Sequence, residues 1–152
     1  MKSETYSDVH ETSTAEKIVA LLSDGLTSPP STYELVQLTE SSLRLRCSAS
    51  QSGLNRSGNL SGPTLLGFAD FAAGLLALAL SSFEEGIVTS AVQINFLASA
   101  ATRSVDLDVQ ALRQGTRQIV CKVRIGSGLR CVAYGVVTFI RRGPRAGGPP
   151  LS

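Results

Sequence analysis

Few of the 152 residues combine reactive chemistry with an environment that would sharpen it, and Asp70 comes first among them. It is the only acid in "GPTLLGFADFAAGLLALAL", residues 62–80, the most apolar stretch of the chain. A carboxylate taken out of water is costly unless it finds a partner. Held beside a substrate, it serves as a general base or a nucleophile. Counted at about 100° per residue, Gly67, Asp70 and Gly74 fall on one helical face, so the acid is bordered by residues without side chains. Two readings follow. Either the glycines allow close backbone packing and the acid is solvated or hydrogen-bonded, or they open a slot in which the acid acts on a thin substrate.

The preceding loop, "NRSGNLSGP" at 55–63, favours the second reading. Pro63 suits the first turn of a helix, where its missing N–H does no harm. The Gly62 N–H then sits where the helix dipole places partial positive charge, which is the composition of an oxyanion hole. Asp70 lies two turns in, about 10 Å along the axis from the helix start at Pro63 and far from that amide. Both groups can act on one carbonyl only if a second copy of the chain supplies one of them, which points to a site shared across a two-fold interface.

Composition removes several other classes of function. The formal charge is +2, the arginines are scattered apart from "RRGPR" at 141–145, Trp is absent and aromatics make up 5%. Nucleic-acid binding would ask for a basic stripe and stacking platforms. His10 is the only histidine and stands in a polar segment, which argues against a histidine triad or a histidine-rich metal site. Cys47, Cys121 and Cys131 lack metal-type spacing, are odd in number and lie in apolar, strand-like contexts. They read as reduced, buried thiols of a cytoplasmic protein. The polar, acidic start "MKSETYSDVHETSTAEK" is unlike a secretory signal. Thr64–Leu80 is short for a membrane span and carries Asp70, so it reads as a core helix and no membrane role is expected.

These residues need elements to position them. Residues 1–13 read as disordered, 14–142 as one domain and 143–152 as a flexible Gly/Pro-rich tail. A short helix runs from an N-cap at Thr14 to a stop at Gly25. "LTSPPS" is a loop. Two strands follow from Tyr33, with a turn near Ser41–Ser42 and alternation of Leu43, Leu45 and Cys47 with Arg44, Arg46 and Ser48. The long helix starts at Pro63 and ends between Phe83 and Gly86. Four more strands succeed it, with turns at Gln114–Gly115 and at "GSG", 126–128. A helix apolar nearly all round must be covered on most sides, and a curved antiparallel sheet does this, giving an α+β fold.

From Tyr33 to Ile140 the sequence resembles the hotdog-fold acyl-CoA thioesterases of the phenylacetate-degradation (PaaI-like) group. The strongest part is Asn55, then "SGP" at 61–63, then "LGFADFAAG". The family pattern has Asn or Gln, His-Gly-Gly beginning six positions later, and an acid nine after that histidine; Asn55, Ser61 and Asp70 keep those spacings. "VTSAVQINFLASA" resembles the family's next strand, and "ALRQGTRQIVCKVRI" its following hairpin. The resemblance implies that Asp70 is the nucleophile, or the base that directs water at a thioester carbonyl. It implies that the Gly62 N–H polarises the carbonyl and Asn55 positions the thioester or the water. Asp70 would come from one subunit and the Asn55–Gly62 loop from another.

Ser61 stands in place of the usual histidine and Pro63 in place of the second glycine, which removes an imidazole and one loop N–H. Gly74 stands where some members carry a hydroxyl. The acyl group is expected beside Gly67 and Gly74, and the nucleotide outside, near Arg113 and Arg117. The resemblance implies a homodimer or homotetramer in which the Ile87–Leu97 strand pairs with its symmetry mate. No metal or cofactor is expected beyond coenzyme A as part of the substrate. The rival reading is a non-catalytic hotdog protein that binds acyl-CoA or a related thioester, and the histidine-to-serine change favours it modestly. A hotdog dehydratase ranks lower, since His10 is badly placed to complete a His–acid pair.

Overall fold

The computed structural model describes residues 6–23, 31–83 and 85–144. Its elements, in chain order, are α1 (Tyr6–Ser23), β1 (Ser31–Leu38), β2 (Ser42–Ala49), α2 (Gly62–Leu80), β3 (Glu85–Phe96), β4 (Ser104–Gln114), β5 (Gln118–Ser127) and β6 (Arg130–Pro144). All strands pair antiparallel in one sheet of order β1-β2-β4-β5-β6-β3. α2 therefore connects a strand near one edge of the sheet to the strand at the other, and it touches β2, β3, β4, β5 and β6 on the way. This is the hotdog arrangement, a long helix wrapped by a curved sheet.

The core lies between α2 and the inward side chains of the sheet. On the helix, Leu65, Phe68, Ala69, Ala72, Ala73, Leu75, Leu76 and Ala77 are buried. The inward set of β4 is Val105, Leu107 and Val109; Leu107 and Val109 pair with Ile125 and Val123 of β5, and Cys121 of β5 pairs with Ala111. α2 is long and apolar enough to cross a membrane by length and composition, and these core contacts account for its hydropathy instead. The outward partners on β2 and β4 are charged. Arg44 pairs with Asp108 and Arg46 with Asp106 across the strands, fixing a polar outer face.

Gly128 and Gly135 are among the glycines that geometry requires. Gly128 has φ +59° at the first central position of the two-residue β5–β6 turn, an arrangement of the II′ type. At Gly135 of β6 a Cβ would come 2.1 Å from the Gln93 carbonyl oxygen, so the β3–β6 approach depends on its absence.

The structure moves three expected boundaries. α1 begins at Tyr6, not at an N-cap on Thr14, so residues 6–13 are helical where disorder was expected. The sequence "YSDVHETS" of that stretch is polar and offers no apolar stripe to read, but Ile18 is fully buried, and a docked helix extends at the gain of one hydrogen bond per residue. The rest of the expected N-terminal segment, the "LTSPPS" loop up to Pro30 with the stop at Gly25, and residues 145–152 of the tail lie outside the described residues. β6 runs through Gly143 and Pro144, slightly past the expected domain limit. α2 ends at Leu80, before the expected Phe83–Gly86, in a Schellman turn. Its Phe83 N–H donates to Leu78 O and its Ser82 N–H to Ala79 O. Ser82 and Phe83 take positive φ values of 53° and 61° there without being glycine.

Candidate functional site

The site residues fall into two neighbourhoods, one at the start of α2 and one along its middle. At the start, backbone accounting explains the chemistry. A helix leaves its first four N–H groups without intrahelical partners. Here the Ser61 N–H donates to Gly53 O, Pro63 has no N–H, and the Thr64 N–H donates to Ser61 Oγ at 3.3 Å. Ser61 is therefore the N-cap, and its hydroxyl also pairs with Thr64 Oγ1 at 2.8 Å; Thr64 Oγ1 in turn donates to Gly53 O. One of the four donors remains, the Gly62 N–H.

Asn55 organises the same loop. Its Oδ1 accepts from the Ser57 and Asn59 amides at 3.0 and 3.1 Å, and its backbone N–H donates to Asn59 O. The side-chain NH2 has no partner among the described residues. Asn55 and Gly62 line one groove of about 350 Å³ with Leu65, Phe96 and Leu97. Phe96 and Leu97 are more than half exposed, and Leu66 and Pro63 on the adjoining turn of α2 are exposed too. A Cβ at Gly62 would stand 3.6 Å from the Phe96 ring, in ordinary contact.

Asp70 is half-buried and lies elsewhere, eight residues further along α2, about 12 Å by helix rise. It opens onto a trough of about 210 Å³ between α2 and the sheet, shared with Gly74, Leu78, Ile87, Thr89 and Phe139. Thr89 Oγ1 donates to Asp70 Oδ1 at 2.8 Å. Asp70 Oδ2 keeps no partner among the described residues, so one acceptor is held and the other is open. Of the two glycines on the acid's face, Gly74 lines the trough, whereas Gly67 is exposed and a Cβ there would meet nothing within 4 Å.

Thr89 was not singled out by sequence reasoning, and a bulge explains why. Thr89 pairs with Phe139 but Ala91 pairs with Thr138, leaving Ser90 as an extra residue whose hydroxyl donates to Thr138 O. The inward face of β3 therefore changes parity, from Ile87 and Thr89 to Val92 and Ile94. Simple alternation through "IVTSAVQINF" cannot place a threonine beside the acid.

Arg113 and Arg117 are brought together, at the opposite end of the sheet from Gly62. They line a concavity of about 520 Å³ beside Gly115 and Arg141. Sequence reasoning noted Arg141 only within a basic group. Its Nε donates to Gly115 O and its Nη1 to Ser81 Oγ, tying the hairpin turn to the end of α2. Consecutive residues of β6 line the two hollows, Phe139 the Asp70 trough and Ile140 the arginine concavity. The two hollows therefore adjoin one another along β6.

Cys47 and Cys121 are buried within the core. Burial pushes both thiols up, Cys121 to about 11, which keeps them protonated and unreactive.

A family model described as Thioesterase superfamily matches residues 57–128, from the loop ahead of α2 through β5. No curated protein sequence matches the chain. Among solved structures, "conserved protein PA5202" from Pseudomonas aeruginosa is 26% identical, with TM-score 0.67 over 72% of this chain and 87% of that one. A "hypothetical thioesterase protein with coenzyme A" from Streptococcus pneumoniae is 24% identical, with TM-score 0.67 over 76% of this chain and 89% of that one. A mutant of the "phenylacetic acid degradation protein PaaI" from Thermus thermophilus is 16% identical, with TM-score 0.64 over 72% and 92%. The chain has the hotdog fold, and its loop–helix–sheet segment is similar to the Thioesterase superfamily.

Proposed function

We propose that the protein is an acyl-CoA thioesterase whose site is completed by two copies of the chain. The observation that carries this reading is the division of labour along α2. The Gly62 N–H is an unspent donor at one end, and Asp70 Oδ2 is an unspent acceptor about 12 Å away on the same rigid helix. One carbonyl cannot touch both within a single chain.

In the proposed reaction, Asp70 takes a proton from a water whose oxygen bonds to the thioester carbonyl carbon. The carbonyl oxygen gathers negative charge against the Gly62 N–H and the Asn55 NH2 of the second copy. Donors aimed at developing charge in this way are worth roughly 10²–10³ in rate. The C–S bond then breaks, and the coenzyme A thiolate leaves and takes up a proton. Direct attack by Asp70 Oδ2, with hydrolysis of the resulting anhydride, uses the same groups. Thr89 holds the carboxylate so that Oδ2 faces the substrate. Ser61 shapes the loop as a cap and does not take over the proton chemistry of a histidine.

β3 supplies the surface for assembly. It is a twelve-residue edge strand without lysine or proline, and its Val88 and Phe96 and the adjoining Leu97 are exposed. Such an edge calls for a pairing partner. A homodimer, or a homotetramer built from it, would extend the sheet and bring the groove of one copy to the trough of the other. Arg113 and Arg117 would take the coenzyme A phosphates, and the protein would work in the cytoplasm. The solved relative that carries coenzyme A supports this substrate class. Free-thiol release from a panel of acyl-CoAs tests the reading: turnover is expected from the native protein, and tight binding without thiol release would make it a binding protein instead.

A further inference from the structure

The Asp70 trough is polar at one end only. Asp70 and Thr89, already bonded to each other, are its polar residues, and Phe71, Gly74, Leu75, Leu78, Ile87 and Phe139 form the rest. Asp70, Gly74 and Leu78 follow one another at i, i+4 and i+8, so the trough runs along the helix toward its C-terminus. Its reach from Asp70 to Leu78 is about 12 Å. A pantetheine arm carries amides and a hydroxyl that would be stranded among those side chains. An alkyl chain would not be.

Gly74 keeps the trough open. A glycine inside a helix costs about 1 kcal/mol relative to alanine. Packing does not demand this one, since a Cβ there would meet nothing nearer than the Phe139 ring at 3.9 Å. The capacity follows from the volume. A methylene is close to the size of a water, whose share of the liquid is about 30 Å³, so a trough of about 210 Å³ takes about seven such groups.

We propose that this trough is the acyl pocket and that it measures chain length, accepting unbranched acyl groups up to about six to eight carbons and stopping longer ones at Leu78. The inference rests on the thioesterase reading for its substrate class, and its test does not require turnover. Alkyl-CoA thioethers of two to sixteen carbons cannot be hydrolysed, and calorimetry gives their affinity directly. Affinity is expected to rise about fourfold per carbon, the value of one buried methylene, and to level off or fall beyond about eight carbons. Gly74→Ala is expected to raise Tm while moving that break to shorter chains, and Leu78→Ala to move it two or three carbons longer. A glycine with a purely structural role would leave the profile unmoved.

Affinity indifferent to chain length, a rise that continues to sixteen carbons, or a break unmoved in the stably folded Gly74→Ala protein would overturn the inference. The expected profile together with no hydrolysis of the matching thioesters would uphold the pocket while removing the enzyme.

Discussion

The two ends of the first three turns of α2 handle their polar groups in opposite ways. At the N-terminus the chain satisfies its own donors, through Ser61, the Gly53 carbonyl and Pro63, until a single amide is left over. At Asp70 an acceptor is introduced into apolar surroundings and only half of it is satisfied, by Thr89. One region offers donors without an acceptor, the other an acceptor without donors to spare. A thioester carbonyl under attack needs both kinds at once, so each region is half of a site. The separation is enforced by a rigid helix, which makes the division a fixed property of the fold.

The largest expected effect comes from removing the acceptor. Asp70→Asn should lower kcat/KM by about 10³-fold or more, in line with losing a general base or nucleophile, while size-exclusion chromatography shows the native assembly. Loss of the assembly would mean that Asp70 serves packing. Next comes the group that aims the acid. Thr89→Val should lower kcat about tenfold with little change in KM, the size of one lost hydrogen bond to a charged group, and Thr89→Ser should restore most of it. Equal losses in both variants would place the importance of Thr89 in the β3 bulge instead.

At the other end, Ser61→Ala removes a cap and not a catalyst. It should destabilise by about 1 kcal/mol in denaturant unfolding, with a loss of activity well below that of Asp70→Asn. An activity loss as large as that of Asp70→Asn would give Ser61 a chemical role. The smallest effect is a gain at the far end of α2, remote from both half-sites. Ser82→Gly relieves a positive φ and should stabilise by about 0.5–1 kcal/mol without changing turnover.

The part of the fold legible in the sequence was the part written in strong local signals. Pro63 at a first helical turn, the all-round apolarity of α2 and the alternation of Leu43, Leu45 and Cys47 in β2 placed those elements. Asp70 and Gly62 stood out because an isolated acid and a helix-start amide are visible without tertiary contacts, and Asn55 through the spacing it shares with the thioesterases the sequence resembles. Thr89 was hidden because its direction depends on one extra residue in β3, which only pairing to β6 reveals. The start of α1 was hidden for a related reason. Tyr6–Ser13 has no apolar stripe of its own, and its helix continues from an anchor at Ile18 that is defined by packing. Arg141 lay within a basic group whose role, bracing the hairpin turn against Ser81, depends on residues far away in sequence.

The central claim, that the acid and the amide act from different chains, can be tested by mixing two inactive proteins. Asp70→Asn keeps the loop, whereas Gly62→Val keeps the acid and fills the groove before the amide. Co-expressed and co-purified, their mixed dimers would hold one wholly native site, so activity should return to about a quarter of native in a two-fold assembly with random pairing. A mixture as inactive as either parent, with mixed dimers shown by mass spectrometry, would contradict the account.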